Sequence, residues 1–266
     1  PERREIITSA VEHPATLAVC EQLERQGYLI HRIAVDQQGA LDMAQFRAAL
    51  SPRVALVSIM WANNETGVMF PVPELAELAH EQGALFHCDA VQVVGKIPMA
   101  LSQTRIDMLS CSAHKFHGPK GVGCLWLRRG TRFRPLLRGG HQAHGRRAGT
   151  ENISGIVGMG AASELAQVHL PGMAQISQLR DRLEQHLQAT IPAVTVMGGS
   201  QPRVPGTLNL AFECIEGEAI LLLMNQAGIA ASSGSACTSG SLEPSHVMRA
   251  MNIPYTAAHG TIRFSL

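Results

Sequence analysis

Short runs of apolar and β-branched residues alternate along this chain with stretches in which apolar positions recur every three or four residues. REIITS, LIHRIAV, VALVSIM, ALFHCDA, DMLSCSA and GVGCLWLRR have the first pattern and predict strands. Residues 13–26, 42–50 and 71–83 have the second and predict helices between them; the last is opened by Pro71 and Pro73 and closed by Gly83. Strand and helix in turn make a βαβ rhythm. Strands so nearly continuous in apolar residues belong to a mostly parallel sheet covered on both faces by helices.

A long helical tract at 153–168 is interrupted by Pro171 and Gly172, and a second helix is predicted at 174–189. The patterning changes there. Strands in GTLNLAF and GIAASSG surround the helix of EGEAILLLMNQAG, which reads as a smaller α+β unit. We therefore divide the chain into a large domain, 1–170, and a small one, 171–266. The first residues already form a strand without a cap, and TIRFSL stops inside an apolar run, so flanking sequence is expected at both ends.

Composition narrows the classes. With 266 residues, 45% of them hydrophobic, the chain can bury a sizeable core. Its 22 basic and 21 acidic side chains are scattered and nearly balance, which removes the electrostatic footprint of a nucleic-acid binder. No apolar run reaches the roughly 20 residues needed to span a bilayer, and PERREIITSA is no signal peptide, so the expected place is the cytosol. Six cysteines without a CxxC pair argue against a disulfide framework.

Ligands of open α/β sheets bind at the carboxyl ends of strands. Three polar clusters lie there: WANNETG, DAVQ and SAHK. They supply an amide (Asn63 or Asn64), a carboxylate with an amide one turn on (Asp89 and Gln92), and Ser112, His114 and Lys115. The chain has only three lysines, and Lys115 and Lys120 both fall in CSAHKFHGPKG. A lysine amine can form a Schiff base with pyridoxal phosphate, whose pyridinium nitrogen needs an acidic partner. Asp89 suits the second role and Lys115 or Lys120 the first. Ser112 and His114 could hold the phosphate, and Asn64 and Gln92 the ring oxygen. Other readings exist. His13 in VEHPAT is expected to cap the following helix, unless its ring stacks on a cofactor, and the asparagines could serve only the turn. Cys111, His114, His117 and Cys124 are zinc-type ligands, but their spacing on two strands fits a tetrahedral site poorly.

SSGSACTSGSLEPSHV should be an irregular, exposed loop presenting Cys237, whereas Cys20, Cys88, Cys111, Cys124 and Cys214 lie in apolar runs and are expected to pack as small hydrophobes. With this loop in view, VEHPAT, WANNETG, HCDAVQ, SAHKFHGPKGVG, RGGHQ, RRAGTEN, SSGSACTSGSLEPSHVMRAM and HGTIRFSL together resemble the pyridoxal-phosphate-dependent cysteine desulfurases of the NifS/IscS class, the NifS type above all. The resemblance implies a fold-type I homodimer that converts L-cysteine to L-alanine and leaves the sulfur as a persulfide. By motif it makes Lys115 the Schiff-base residue, Asp89 the pyridinium partner and His13 the stacking ring. Asn64 and Gln92 fall at the phenolic oxygen, Ser112 and His114 at the phosphate, and Thr150 at a phosphate contact lent by the other subunit. Arg263 would clamp the substrate carboxylate beside Asn64, and Cys237 would accept the sulfur. The implied partner is an iron-sulfur scaffold or another sulfur-acceptor protein, with a role in nitrogenase maturation. The resemblance also implies a phosphate-binding Gly/Thr loop upstream of Pro1 and further helices after Leu266. An aminotransferase or selenocysteine lyase of the same superfamily, and a non-catalytic sulfur-transfer module, are the alternatives; the acceptor thiol of SSGSACTSG speaks against an aminotransferase.

Overall fold

The structure, a computed structural model, describes residues 3–233 and 243–266. Six strands form the main sheet: β1 (Glu5–Ser9), β2 (Leu29–Ile33), β3 (Val54–Met60), β4 (Leu85–Asp89), β5 (Met108–Ser112) and β6 (Gly123–Leu127). Their order is β2-β1-β3-β4-β5-β6, parallel throughout except for β6, which runs antiparallel to β5. A two-residue turn cannot join parallel strands, so each crossover carries a helix or a long connection. These include α1 (Pro14–Arg25), α2 (Met43–Ala49) and α3 (Val72–Glu81).

Local chemistry sets the helix starts. His13 caps α1 by accepting the Ala15 N–H at Nδ1 (3.2 Å), and Asp42 caps α2 by accepting from Gln45 N (2.8 Å). Pro71 stands at the head of α3 without a side-chain cap. One face of the sheet is sealed by a single apolar cluster in which Ile7, Val57, Ile59, Phe46, Phe86, Leu75 and Cys88 are all fully buried. On the other face α1 packs Cys20 and Leu23 against Ile6, Ile30 and Leu56. Farther along that face, Ser58, His87 and Ser110 form a polar row across β3, β4 and β5, with both ring nitrogens of His87 bonded at 2.8 Å. Burial lowers the pKa of His87.

After β6 comes a largely exposed stretch with a single turn, α4 (Gln142–Gly145), followed by α5 (Ile153–His169). A 3₁₀ turn at Leu170–Gly172 leads directly into α6 (Met173–Thr190). α5 packs on the main sheet side through Ala162 against Ala113 and Phe116, whereas Leu183 and Leu187 of α6 pack on a second, antiparallel sheet. That sheet has the order β7 (Val194–Val196), β8 (Thr207–Phe212), β10 (Thr261–Ser265) and β9 (Ser232–Ser233), with α7 (Gly217–Gln226) against it and α8 (His246–Ala250) and α9 (Tyr255–Ala258) nearby. Met248, Met251, Ala257 and Ala258 enter the cluster of the main sheet, so its core extends beneath the second. Among the described residues no helix is long and apolar enough to cross a membrane.

The thiols differ from expectation. Cys20 and Cys88 are buried, Cys111 is half-buried, and Cys124 and Cys214 are exposed. Cys124 lies on β6, which ends the sheet order among the described residues, and Cys214 follows β8 at a positive φ of 59° in a turn. Among the described residues nothing covers these two thiols on their outer side, so the buried packing expected for them is not realised there.

Phe86 has no exposed surface and Leu136 is 91% exposed. Phe86→Ala should cost about 3–5 kcal/mol in urea unfolding, and Leu136→Ala should change stability by less than about 0.5 kcal/mol.

Candidate active site

The carboxyl ends of β3, β4 and β5 open into a cavity of about 620 Å³, within the usual range for small-ligand sites. Asn64, Gln92, His114, Lys115 and Arg263 all line it, and they come from four separate places in the chain.

Each is held by its local structure. β5 ends at Ser112 and the chain turns at once into a 3₁₀ turn, Ala113–Phe116, closed by His117 in the left-handed region at φ 66°. This tight turn puts His114 and Lys115 at the cavity rather than along the strand line. Ser112 Oγ and His114 Nδ1 lie 2.8 Å apart, which ties the first of these to the strand end. Gln92 follows Asp89 in a turn, where Asp89 Oδ1 accepts from Val91 N (2.9 Å). Arg263 reaches in from β10, donating to the Asn64 carbonyl (2.6 Å) and to Ser232 Oγ (3.1 Å).

The two adjacent asparagines separate cleanly. Asn63 is 2% exposed; its Nδ2 donates to Val11 O (3.0 Å), and its Oδ1 accepts from Glu65 N and Thr66 N (2.9 Å each). Asn64 instead lines the cavity, and its buried Oδ1 has no hydrogen-bond partner among the described residues. A buried carbonyl oxygen without a donor is costly and fits a site that a ligand completes.

His13 and Asp89 do not line the cavity, but His13 lies within electrostatic reach of both Asp89 and Lys115. Burial lowers the His13 pKa; Asp89 opposes this, while Lys115 and His246 add to it. Thr150 is exposed and outside this chain's cavity, and Lys120 is exposed in the turn beyond His117. Cys237 lies outside the described residues. Cys111 and Cys124 face one another across β5 and β6, but His114 and His117 line the cavity, and no group of three or more metal-ligating side chains occurs among the described residues.

Two residues were missed in the sequence. Lys96 lines the cavity and donates to Gln92 Oε1 (3.1 Å); burial, with the charges of Lys115 and Arg263, brings it down to about 8. Its spacing of four from Gln92 was the available signal. Glu12, inside VEHPAT, is fully buried, accepting from Ser9 Oγ (2.7 Å) and Met60 N (2.9 Å). Burial pushes it up to about 8, against the pull of those two bonds, and the charge of Asp89 adds to the rise. The site thus sets three cations, Lys96, Lys115 and Arg263, in a cavity that no acidic side chain lines among the described residues. Such a lining favours an anionic ligand.

The description aminotransferase class-V matches residues 1–266. A cysteine desulfurase of Klebsiella pneumoniae is 86% identical over 266 residues, all of this chain and 67% of that protein. The cysteine desulfurase NifS of Azotobacter vinelandii is 60% identical over 267 residues, all of this chain and 66% of its own. A solved structure described as a NifS-like protein superposes with a TM-score of 0.91 at 36% identity, covering 99% of this chain and 70% of the other. The chain therefore spans about two thirds of the length of the curated relatives it matches.

Glu12 holds its proton in the folded chain up to about pH 8, whereas an unfolded glutamate releases it near 4.5. Its contribution to stability is complete below pH 4.5 and is lost as the pH rises through 8. Glu12→Gln, which keeps the acceptor oxygen, should raise the unfolding temperature at pH 8 and leave it unchanged below pH 4.5. Equal unfolding temperatures at pH 8 would contradict a neutral buried carboxyl.

Proposed function

This chain belongs to the aminotransferase class-V family, and within it to the cysteine desulfurases; from that premise we propose that the intact protein converts L-cysteine to L-alanine and holds the released sulfur as a persulfide on Cys237. The observation that carries the reading is the meeting of the Lys115 amine, the unpartnered Asn64 oxygen and the Arg263 guanidinium in one cationic cavity.

Pyridoxal phosphate is the cofactor of this reading, and when bound it supplies a ring that withdraws electrons from the substrate Cα. The residues present fit it. Lys115 Nζ offers the amine that its carbonyl carbon would take, and Arg could not replace it, because a guanidinium stays protonated. Asp89 would face the ring nitrogen and His13 the ring. Asn64 and Gln92 would bond the phenolic oxygen, and Ser112 and His114 the phosphate, with Thr150 supplied to the other subunit of a homodimer.

The chain's own groups then divide the work. Arg263, with its planar fork, binds the carboxylate of L-cysteine beside Asn64 and orients the Cα proton. Lys115 Nζ, once free, takes that proton and later returns it, and His13, its ring kept largely neutral by burial, is placed to share the transfer. Cys237 acts as thiolate on the substrate sulfur, since the thiolate is the nucleophile. We place this chemistry in the cytoplasm, in a protein whose large domain ends near residue 170, and assign its sulfur to an iron-sulfur scaffold serving nitrogenase or to another acceptor protein.

The test is turnover of L-cysteine by the protein supplied with pyridoxal phosphate. Alanine should form, and borohydride should fix a pyridoxyl group on Lys115. Cys237→Ser should lower sulfur transfer by about 10²-fold or more, the scale seen when a nucleophile is removed, while the Lys115 mark persists. Undiminished sulfur transfer by that variant would overturn the assignment.

A further inference from the structure

Lys96 reaches the cavity by way of two turns that the core holds in place. β4 ends at Asp89, and the chain winds on at once: Val93 N and Val94 N both donate to Ala90 O (3.0 and 3.2 Å), and Lys96 N and Ile97 N both donate to Val93 O (3.0 and 3.2 Å). Ala90 and Val93 have no exposed surface, so the carbonyls that accept these bonds are fixed by packing. Gly95 passes through the second turn at φ 75°, where an added Cβ would stand 2.9 Å from Ala166 Cβ of α5. Glycine at this point lets the turn lie against the helix. The winding returns the Lys96 side chain to the residue four positions earlier, and Nζ donates to Gln92 Oε1 at 3.1 Å.

That bond decides which way the amide faces. A carboxamide has an acceptor at one end and two N–H donors at the other, and its two orientations have nearly the same shape. An ammonium has donors only. Burial and the charges of Lys115 and Arg263 bring Lys96 down to about 8, so it still carries its proton at neutral pH. It therefore meets the oxygen end of Gln92 and excludes the flipped amide, in which NH₂ would face ammonium. The two N–H groups of Nε2 are the end left to meet a ligand. Gln92 and Lys96 both line the cavity, so the orientation is set where a ligand would read it.

We propose that Lys96 is a positioning residue: by holding the Gln92 oxygen, it fixes that amide as a hydrogen-bond donor toward an anionic oxygen of the bound ligand. The inference rests on the cofactor reading, in which that oxygen is the phenolic oxygen of pyridoxal phosphate. Lys96 acts through Gln92 and not as a reacting amine, which separates its role from that of Lys115. An amide already oriented has no alternative arrangement to give up on binding, so more of the bond's strength appears as affinity.

The test is the affinity of the intact, full-length protein for added pyridoxal phosphate, followed by the visible band of the bound cofactor. Lys96→Met keeps the chain length and removes the donors; it should weaken binding about tenfold, the scale of one hydrogen bond to a charged group. Lys96→Arg, which also has donors only, should restore most of that loss. Gln92→Ala should weaken binding by a similar factor, and adding Lys96→Met to Gln92→Ala should change it by less than about twofold, because the residue through which Lys96 acts is gone. A cation that attracted the cofactor directly would give the same loss in both backgrounds. The proposal fails if the losses multiply in the double variant, if Lys96→Met binds as tightly as the parent, if Lys96→Arg binds no better than Lys96→Met, or if borohydride places the pyridoxyl group of the parent on Lys96. A parent protein that shows no cofactor band at all overturns the cofactor reading and this inference with it, whereas a band with multiplying losses overturns this inference alone.

Discussion

One buried carboxamide organises the site. Asn63 bonds the turn before α1 through Val11 O and folds its own loop through Glu65 N and Thr66 N, so β1, β3 and the following turn cannot move independently. Its neighbour Asn64 is thereby presented with its side chain toward the cavity and its carbonyl toward Arg263. The same loop ties to the second sheet through Asn209 Nδ2, which donates to Glu65 O (3.2 Å), and through Ser245 Oγ, which donates to Glu65 Oε2 (2.6 Å). Gly67 closes it at φ 76°, where an added Cβ would stand 2.8 Å from Thr207 Cβ, so only glycine lets the loop approach β8.

Around that anchor the electrostatics are sorted by depth. Lysine and arginine side chains line the opening, and Lys96 yields part of its affinity for protons to the neighbouring positive charges and to burial. The carboxylates stand away from the lining: Asp89 at the strand end and Glu12 fully buried near it, where desolvation keeps it protonated. A cavity lined in this way attracts anions and keeps one amine, Lys115, exposed for chemistry.

The hairpin of β5 and β6 shapes the site. Its first strand ends in the 3₁₀ turn that aims Lys115, and its register sets Cys111 opposite Cys124. Both rest on antiparallel pairing, because two consecutive strands that run parallel need a long crossover between them.

The periodicities alone determined the element types: all six main strands, α1 to α3, the break at Pro171 and Gly172 and the helices on either side of it fall where the apolar pattern places them. Motif order along the chain likewise pointed to Lys115, Gln92 and Arg263, because residue types at strand ends are a local property. What needed the tertiary structure was every choice between neighbours or faces. Asn63 and Asn64 are identical in the sequence, and only packing turns one into the loop and the other into the cavity. Cys124 reads as a core residue but is exposed among the described residues, and its place opposite Cys111 depends on register, which a strand pattern does not contain. The proton affinities of Lys96 and Glu12 were not legible for a related reason: they come from burial and from charges distant in sequence, quantities that exist only once the chain has folded.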